Sequence, residues 1–223
     1  MTFTNHIIPF QLGKSQVRGS IVRLETTVSE IIKRHNYPSN IESLLADTLT
    51  ITACLGSRMK HDGVFTIQAK GSGEVHTLFS DITNNGSLRG YVGLEDGFSK
   101  KDLNLNALMG SGHISFTLDQ GKYSKRYQGI IALEEQSVSK SAELYFNLIN
   151  SKNISPTSLN FFCLSISSIL NNGPGKSSGL YFSLYSFGGS NGGCGSNGFI
   201  DNIHGPFLSR SINLIAISVH QVV

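Results

Sequence analysis

Three cysteines and seven histidines are the side chains best suited to chemistry in this chain, and their spacing gives them no shared site. Cys54, Cys163 and Cys194 stand far apart without any CxxC or CxC pair, so a four-thiolate zinc site would lack a ligand. The histidines show neither HxxxH nor HxH spacing: His6, His35, His61, His76, His113, His204 and His220. We therefore predict no metal site, with the histidines scattered over the surface or in the core.

Nucleophilic catalysis and phosphate binding also lack a supporting motif. Serine, histidine and aspartate all occur, but no GxSxG elbow is present to expose a serine at a strand-to-helix turn. Gly71-Ser72-Gly73 is glycine-rich, yet no Lys-Ser/Thr pair follows it and no helix is predicted to begin there, so we interpret it as a turn. We predict no catalytic residue and no enzyme, with an unrecognised enzyme as a minor alternative.

The composition indicates one large domain or two small ones, with enough apolar residues for a core. The 223 residues are 39% hydrophobic, and no apolar run reaches the roughly 18 residues of a membrane span. A net charge of +3 without a basic cluster gives no indication of a nucleic-acid partner. The N-terminal sequence does not resemble a secretory signal, so we expect a cytoplasmic protein with free thiols and a buried, unreactive Cys54.

The stretch from Arg126 to Leu148 predicts a strand that leads directly into a helix. Tyr127 to Leu133 suits a strand, and Ser137 then offers an N-cap. Apolar residues follow at helical spacing, namely Val138, Ala142, Tyr145 and Ile149. This compact unit is the basis of a predicted α+β fold.

Two earlier helices and five further strands are predicted around this unit. The helices are a short one at about 27–34 and a longer one from Ser39, where Ser39 and Glu42 have capping-box spacing. Apolar residues on several sides of the longer helix predict packing on more than one side. The strands are an edge-type strand at 17–24, a meander at 64–70, 75–82 and 88–94, and a strand at 113–118, preceded by a connection at 106–112.

The composition changes after residue 152. From residue 153 to 223 the only charged side chains are Lys176, Asp201 and Arg210, and 186–198 is of low complexity. We predict a core at 1–152, possible closing strands at 153–185 and a diverged or aberrant, irregular tail at 186–223. We expect the segment after about residue 151 to be dispensable for folding, unless 159–166 or 180–184 closes a sheet. A strand pattern also occurs at 212–219.

Several phrases of the first 150 or so residues resemble the redox-regulated holdase chaperones of the thirty-three-kilodalton heat-shock family. They occur in the family's order and spacing, and LMGSGHISFTLD with RYQGIIALE is the most specific part. The other matching phrases are VRGSIVRLETTVSEIIKRHNYP, LLADTLTITACLGSRMKHDGVFTIQAKGSGEVHTL, LRGYV and ELYF.

The resemblance implies a twisted antiparallel sheet covered by helices and ATP-independent binding of unfolding proteins in the cytoplasm. In the family, an oxidation-sensitive linker and a zinc domain with CxC and CxxC motifs follow the core. Neither motif occurs here. We therefore expect the family's zinc to be absent, no cofactor to replace it, and the zinc-based redox switch to be lacking.

We therefore predict a holdase that prevents aggregation of unfolded or partly folded client proteins, with a homodimer left open and neither nucleic acid nor membrane as a partner. The candidate client-binding residues are apolar strand residues for which core packing is the alternative role: Phe65, Ile67, Leu78, Phe79 and Tyr91. The main alternative is an inactive truncated remnant whose tail is translated in a shifted reading frame. A diverged, zinc-free regulatory tail is the other interpretation of the low charge.

Overall fold

A computed structural model describes residues 5–12, 17–24, 26–57, 59, 62–99, 101, 104–121, 126–152, 162–166 and 215–221. Within these residues the elements are β1 Asn5–Leu12, β2 Val17–Leu24, α1 Thr26–Lys33, α2 Ser39–Gly56, β3 Val64–Gly71, β4 Val75–Thr83, β5 Leu88–Leu94, α3 Leu105–Met109, β6 Gly112–Asp119, β7 Tyr127–Ala132, α4 Val138–Lys152, β8 Phe162–Ile166 and β9 Ile215–Gln221. The predicted closing strand at 180–184, the low-complexity stretch at 186–198 and Cys194 lie outside the described residues.

The described strands form two antiparallel sheets with helix α2 between them. The main sheet has the order β5-β4-β3-β6-β7, and the second sheet has the order β1-β2-β9-β8. Helix α2 contacts strands of both sheets. The predicted α+β class is thereby confirmed, but the prediction of β2 as an edge strand is wrong. β2 lies between β1 and β9, and local alternation cannot reveal a partner so distant in the chain.

Helix α2 is buried on almost every side, as its apolar pattern predicts. Its core residues include Ile41, Leu45 and Leu49, none of which is exposed. The buried threonines lose no hydrogen bond, because each hydroxyl donates to the carbonyl four residues earlier at 2.7 to 2.8 Å: Thr48 to Leu44, Thr50 to Ala46 and Thr52 to Thr48.

The predicted capping box at the start of α2 does not form. Pro38 is the N-cap residue, and no side chain caps the helix. The Pro38 carbonyl accepts hydrogen bonds from the amides of Ile41 at 2.9 Å and Glu42 at 3.0 Å. Ser39 is therefore the first helical residue, one position too late for its hydroxyl to act as the N-cap acceptor.

Gly71, Ser72 and Gly73 join β3 to β4 and pack against the end of α3, which confirms a turn. The Gly73 amide donates to the Met109 carbonyl at 2.7 Å. A Cβ atom on Gly71 would lie 2.1 Å from that same carbonyl oxygen, so the close approach requires glycine. The predicted connection at 106–112 is wrong in part, because Leu105–Met109 forms a short helix.

The strand-to-helix unit of β7 and α4 forms as predicted. The Ser137 hydroxyl accepts the Lys140 amide at 3.3 Å, and the Ser137 carbonyl accepts the Ser141 amide at 3.0 Å. Val138, Ala142 and Tyr145 are all buried against the sheet. The Tyr145 ring stacks on Phe116 of β6 with ring centroids 4.6 Å apart, which holds α4 on the inner side of the main sheet.

The β5 edge of the main sheet is closed by the connection between α1 and α2. The Tyr37 hydroxyl accepts the Val92 amide at 3.0 Å and donates to the Val92 carbonyl at 2.9 Å. Two backbone groups that would otherwise face outward are thereby paired within the chain. A loop that satisfies an edge in this way protects it from pairing with another strand.

The variant Tyr37→Phe is expected to lose about 1–2 kcal/mol of unfolding free energy, because two net hydrogen bonds disappear while the ring stays. Hydrogen exchange of the Val92 amide should accelerate, and thermal unfolding should report the lost stability. Tyr91→Phe is the matched control, because Tyr91 lies on the same strand as Val92 and its exposed side chain also loses only a hydroxyl group. Equal behaviour of the two variants would show that the Tyr37 bonds add no stability.

Candidate functional site

The main sheet has an inner face toward the helices and an opposite face, called here the outer face. On the inner face, a Cβ atom on Gly90 would lie 3.0 Å from Leu49 and 3.2 Å from Leu45 of α2. Because side chains alternate along a strand, the outer face carries the remaining residues. These are Arg89 and Tyr91, Thr77, Phe79 and Asp81, Thr66, Gln68 and Lys70, His113, Ser115 and Thr117, and Gln128, Ile130 and Ala132.

The middle row of the outer face, defined by the strand register, runs across all five strands as Tyr91, Phe79, Gln68, Ser115 and Ile130. Tyr91 and Phe79 stack with ring centroids 5.4 Å apart at an interplanar angle of 28°. Tyr91 is 44% exposed and Ile130 is 58% exposed. The row is therefore apolar at both ends and polar in its centre.

A neighbouring row on the same face is polar and internally paired. The Arg89 guanidinium donates to both carboxylate oxygens of Asp81 at 2.7 to 3.0 Å. The hydrogen bond and the charge of Asp81 raise the pKa of Arg89. Farther along, the Gln128 amide donates to the Thr117 hydroxyl at 3.0 Å. These polar side chains already have hydrogen-bond partners within the chain. The exposed apolar surface of the outer face therefore lies at the two ends of the middle row.

The five candidate client-binding residues separate onto the two faces. Phe65, Ile67 and Leu78 lie on the inner face and are buried, with exposed fractions of 8%, 0% and 0%. They therefore pack in the core, which was the alternative to client binding. Phe79 is half-buried and Tyr91 exposed on the outer face. Client binding by these two stays a prediction. Sequence reasoning missed Ile130, although it identified the strand that carries it.

The described residues contain no arrangement that suggests catalysis or metal binding. Within them, no group of three or more histidine, cysteine and acidic side chains could hold a metal ion. Cys54 is fully buried in α2, as predicted, and a buried thiol in apolar surroundings is unreactive. Cys163 belongs to β8. No described helix combines the length and apolarity needed to cross a membrane.

The main sheet thus has a helix-covered inner face and an outer face that exposes an aromatic and an aliphatic side chain, Tyr91 and Ile130. The family model described as Hsp33 protein matches residues 5–159, and the chain belongs to this family. The resemblance in the sequence is thereby confirmed.

Curated relatives are named 33 kDa chaperonin, which is the name of a chaperone and not of an enzyme. The one from Caulobacter vibrioides (strain NA1000 / CB15N) is 34% identical over 145 residues, covering 61% of this chain and 47% of that protein. The one from Shewanella loihica is 36% identical over 153 residues, covering 69% of this chain and 52% of that protein. The chain thus spans about half the length of the curated relatives it matches.

A crystal structure of the 33 kDa chaperonin from Thermotoga maritima has the same fold. It superposes with a TM-score of 0.67 at 14% identity, covering 96% of this chain and 60% of that chain. At this level of identity the match concerns the fold alone. It agrees with the predicted α+β fold of antiparallel strands covered by helices, although the described strands form two sheets where one was predicted.

Proposed function

We propose that this chain is an ATP-independent holdase that binds unfolded or partly folded proteins and prevents their aggregation. Membership in the Hsp33 family supports chaperone activity. The observation that carries the proposal is the middle row of the outer face, where Tyr91 and Ile130 are exposed at opposite ends. The proposal places the protein in the cytoplasm, where nascent and unfolding chains are abundant.

The row suits an extended client in size and in chemistry. Five strands spaced about 4.8 Å apart make the row about 19 Å long, which matches roughly six residues of extended chain. Apolar client side chains would cover the Tyr91–Phe79 stack and Ile130, and Gln68 in the centre could bond to client backbone. Burial of apolar surface tolerates many client sequences and consumes no nucleotide.

The test is suppression of aggregation of a heat-unfolded client protein without nucleotide. Tyr91→Ser should weaken suppression several-fold, because it removes the exposed half of the aromatic stack. Ile8→Ser is the matched control, since Ile8 is 48% exposed on β1 of the second sheet. Equal loss in both variants would place the binding surface elsewhere. No suppression by the unaltered chain would favour the inactive remnant.

We further propose that the zinc-based redox switch is lacking. The support is the dispersed set of three cysteines, of which Cys54 is fully buried. Peroxide should therefore leave the suppression of aggregation nearly unchanged, and elemental analysis should find no stoichiometric zinc. Strong activation by peroxide that a reductant reverses would contradict this. Repeating the assay with Cys54→Ala would then show whether the buried thiol takes part.

A further inference from the structure

A β-bulge in β4 adds one side chain to the outer face of the main sheet. The register of β4 with β5 skips His76, which lies between Val75 and Thr77. Bulges of this kind change the direction of a side chain. A Cβ atom on Gly93 would lie 2.4 to 3.0 Å from three ring atoms of His76, so the ring lies over Gly93. Gly93 is on the outer face, two residues after Tyr91, and His76 therefore points to that face as well.

His76 belongs to a row of basic side chains beside the middle row. Lys70 of β3 pairs with Thr77 of β4 on one side and with His113 of β6 on the other. His76, Lys70 and His113, called here the basic row, therefore occupy three neighbouring strands over about 10 Å. All three side chains are exposed. Residues two apart on a strand are separated by about 7 Å, which is the distance from Lys70 to Gln68 of the middle row.

The basic row has donors and positive charge available to a ligand. Lys70, His76 and His113 form no ion pair with an acidic side chain among the described residues. The carboxylate of Glu74, two residues before His76, accepts the Ser99 amide at 3.0 Å. A lysine ammonium and a histidine ring N–H both donate to carboxylate oxygens. The basic row therefore suits an acidic ligand.

The other flank of the middle row offers no available charge. There the Arg89 guanidinium donates to both carboxylate oxygens of Asp81, so the two charges cancel. The other acidic residue that the described strands place on this face is Asp119. It lies at the far end of β6, about 20 Å from His113 at extended spacing. The apolar ends of the middle row are thus bordered by available positive charge on one side only.

We propose that the basic row selects client segments in which acidic residues accompany apolar ones. This inference rests on the proposed holdase function and names the class of client that it favours. Apolar client side chains would cover Tyr91 and Ile130, while a glutamate or aspartate near the centre of the segment would reach Lys70 across the short distance between the rows. Segments with lysine at the same positions would be disfavoured, because like charges would meet there.

Three unfolded synthetic peptides of equal length test this inference with the full chain. They carry a fluorescent label, share the same apolar residues and have glutamate, glutamine or lysine at two central positions. Measured by fluorescence anisotropy at neutral pH, the glutamate peptide should bind about three-fold or more tightly than the glutamine peptide, because each exposed ion pair contributes only modestly. The lysine peptide should bind most weakly. High salt should reduce these differences, since it screens exposed charges.

The variant Lys70→Glu should reverse the order, so that the lysine peptide binds most tightly. Lys140→Glu is the matched control, because it makes the same change of charge at an exposed position of α4, on the inner side of the sheet. It should keep the order of the unaltered chain. Circular dichroism would verify that both variants are folded, which is expected because both side chains are exposed.

The outcomes distinguish this inference from the proposed function. Equal binding of the three peptides to the unaltered chain would overturn the inference and leave the holdase function intact. Binding of none of them would contradict the holdase function as well. An order that Lys70→Glu leaves unchanged would overturn the inference by placing the acid-selective surface elsewhere. So would tighter binding of a short single-stranded oligonucleotide than of the glutamate peptide, which would indicate a nucleic-acid site.

Discussion

A chain that ends after residue 214 is expected to lose cooperative unfolding of the whole domain, because β9 is an inner strand. β9 pairs with β2 from Val17 to Val22 on one side and with β8 from Phe162 to Ile166 on the other. Its removal would leave β8 without a strand partner and turn β2 into an edge. It would also uncover one side of α2, which contacts β9.

The expected loss is large compared with ordinary stability. The free energy of unfolding of a domain is only about 5–15 kcal/mol. Removing β9 breaks both of its strand ladders and uncovers part of a buried helix, so we expect most of this free energy to be lost. The truncated chain should aggregate or melt without a sharp transition. The matched control ends after residue 221 and keeps all of β9. Thermal unfolding followed by circular dichroism compares the two chains.

A third chain, ending at Ser151, distinguishes what the composition predicts about the tail from what the strand pairing predicts. The low charge after residue 152 predicts that the tail is dispensable, and on that view a chain ending at Ser151 folds by itself. The pairing of β9 with β2 favours a native segment. If the chain ending at Ser151 melts as sharply and at the same temperature as the full chain, the second sheet adds nothing to stability.

Elements with short-range signals could be predicted from the sequence. The meander of β3, β4 and β5 follows from apolar runs separated by turn residues, and α4 follows from Ser137 and the helical spacing of Val138, Ala142 and Tyr145. In each case the pattern and its partner lie within a few tens of residues. Local periodicity is sufficient for such elements because it defines which side of the element is buried.

Long-range pairing could not be predicted in the same way. The inner position of β2 depends on β9, at the opposite end of the chain, and nothing in VRGSIVRL specifies that partner. The capping box failed for a different reason. The Pro38 carbonyl accepts the first hydrogen bonds of the helix, so Pro38 occupies the N-cap position. Ser39 and Glu42 have the residue types of a capping box, but each lies one position later in the helix than the motif requires.

The candidate site was predictable only where alternation is clear. In β3, Phe65 and Ile67 alternate with polar residues, and this pattern alone assigns both to the covered face. In β4, Leu78 and Phe79 are adjacent and both apolar, so the sequence does not decide which one faces α2. The packing decides it, because Leu78 is fully buried and Phe79 stacks on the exposed Tyr91.

Gly129→Ala is expected to destabilise the protein by about 1–3 kcal/mol, the usual cost of overpacking a core. A Cβ atom at Gly129 would lie 2.0 to 2.3 Å from ring atoms of Tyr145, closer than atoms approach. The ring has little freedom to retreat, because it stacks on Phe116 and meets Phe146 edge-on at 5.1 Å. At about 2–4 °C per kcal/mol, the melting temperature should fall by several degrees.

The sign of this effect is informative, since glycine-to-alanine changes in unstrained backbone usually stabilise by about 0.4–1 kcal/mol. Ala132→Ser is the matched control, a small change at an exposed position of the same strand, and it should leave the melting temperature nearly unchanged.

Tyr145→Leu supplies the decisive comparison, because it removes the ring atoms that meet the added methyl group. Tyr145→Leu alone should destabilise by loss of the stack on Phe116. In its background, Gly129→Ala should cost little or even stabilise, so the two changes should couple by about 0.5–3 kcal/mol in a double-mutant cycle. Strictly additive effects would show that the ring of Tyr145 does not pack on Gly129. Strong coupling would make this contact the point at which α4 is fixed to the main sheet.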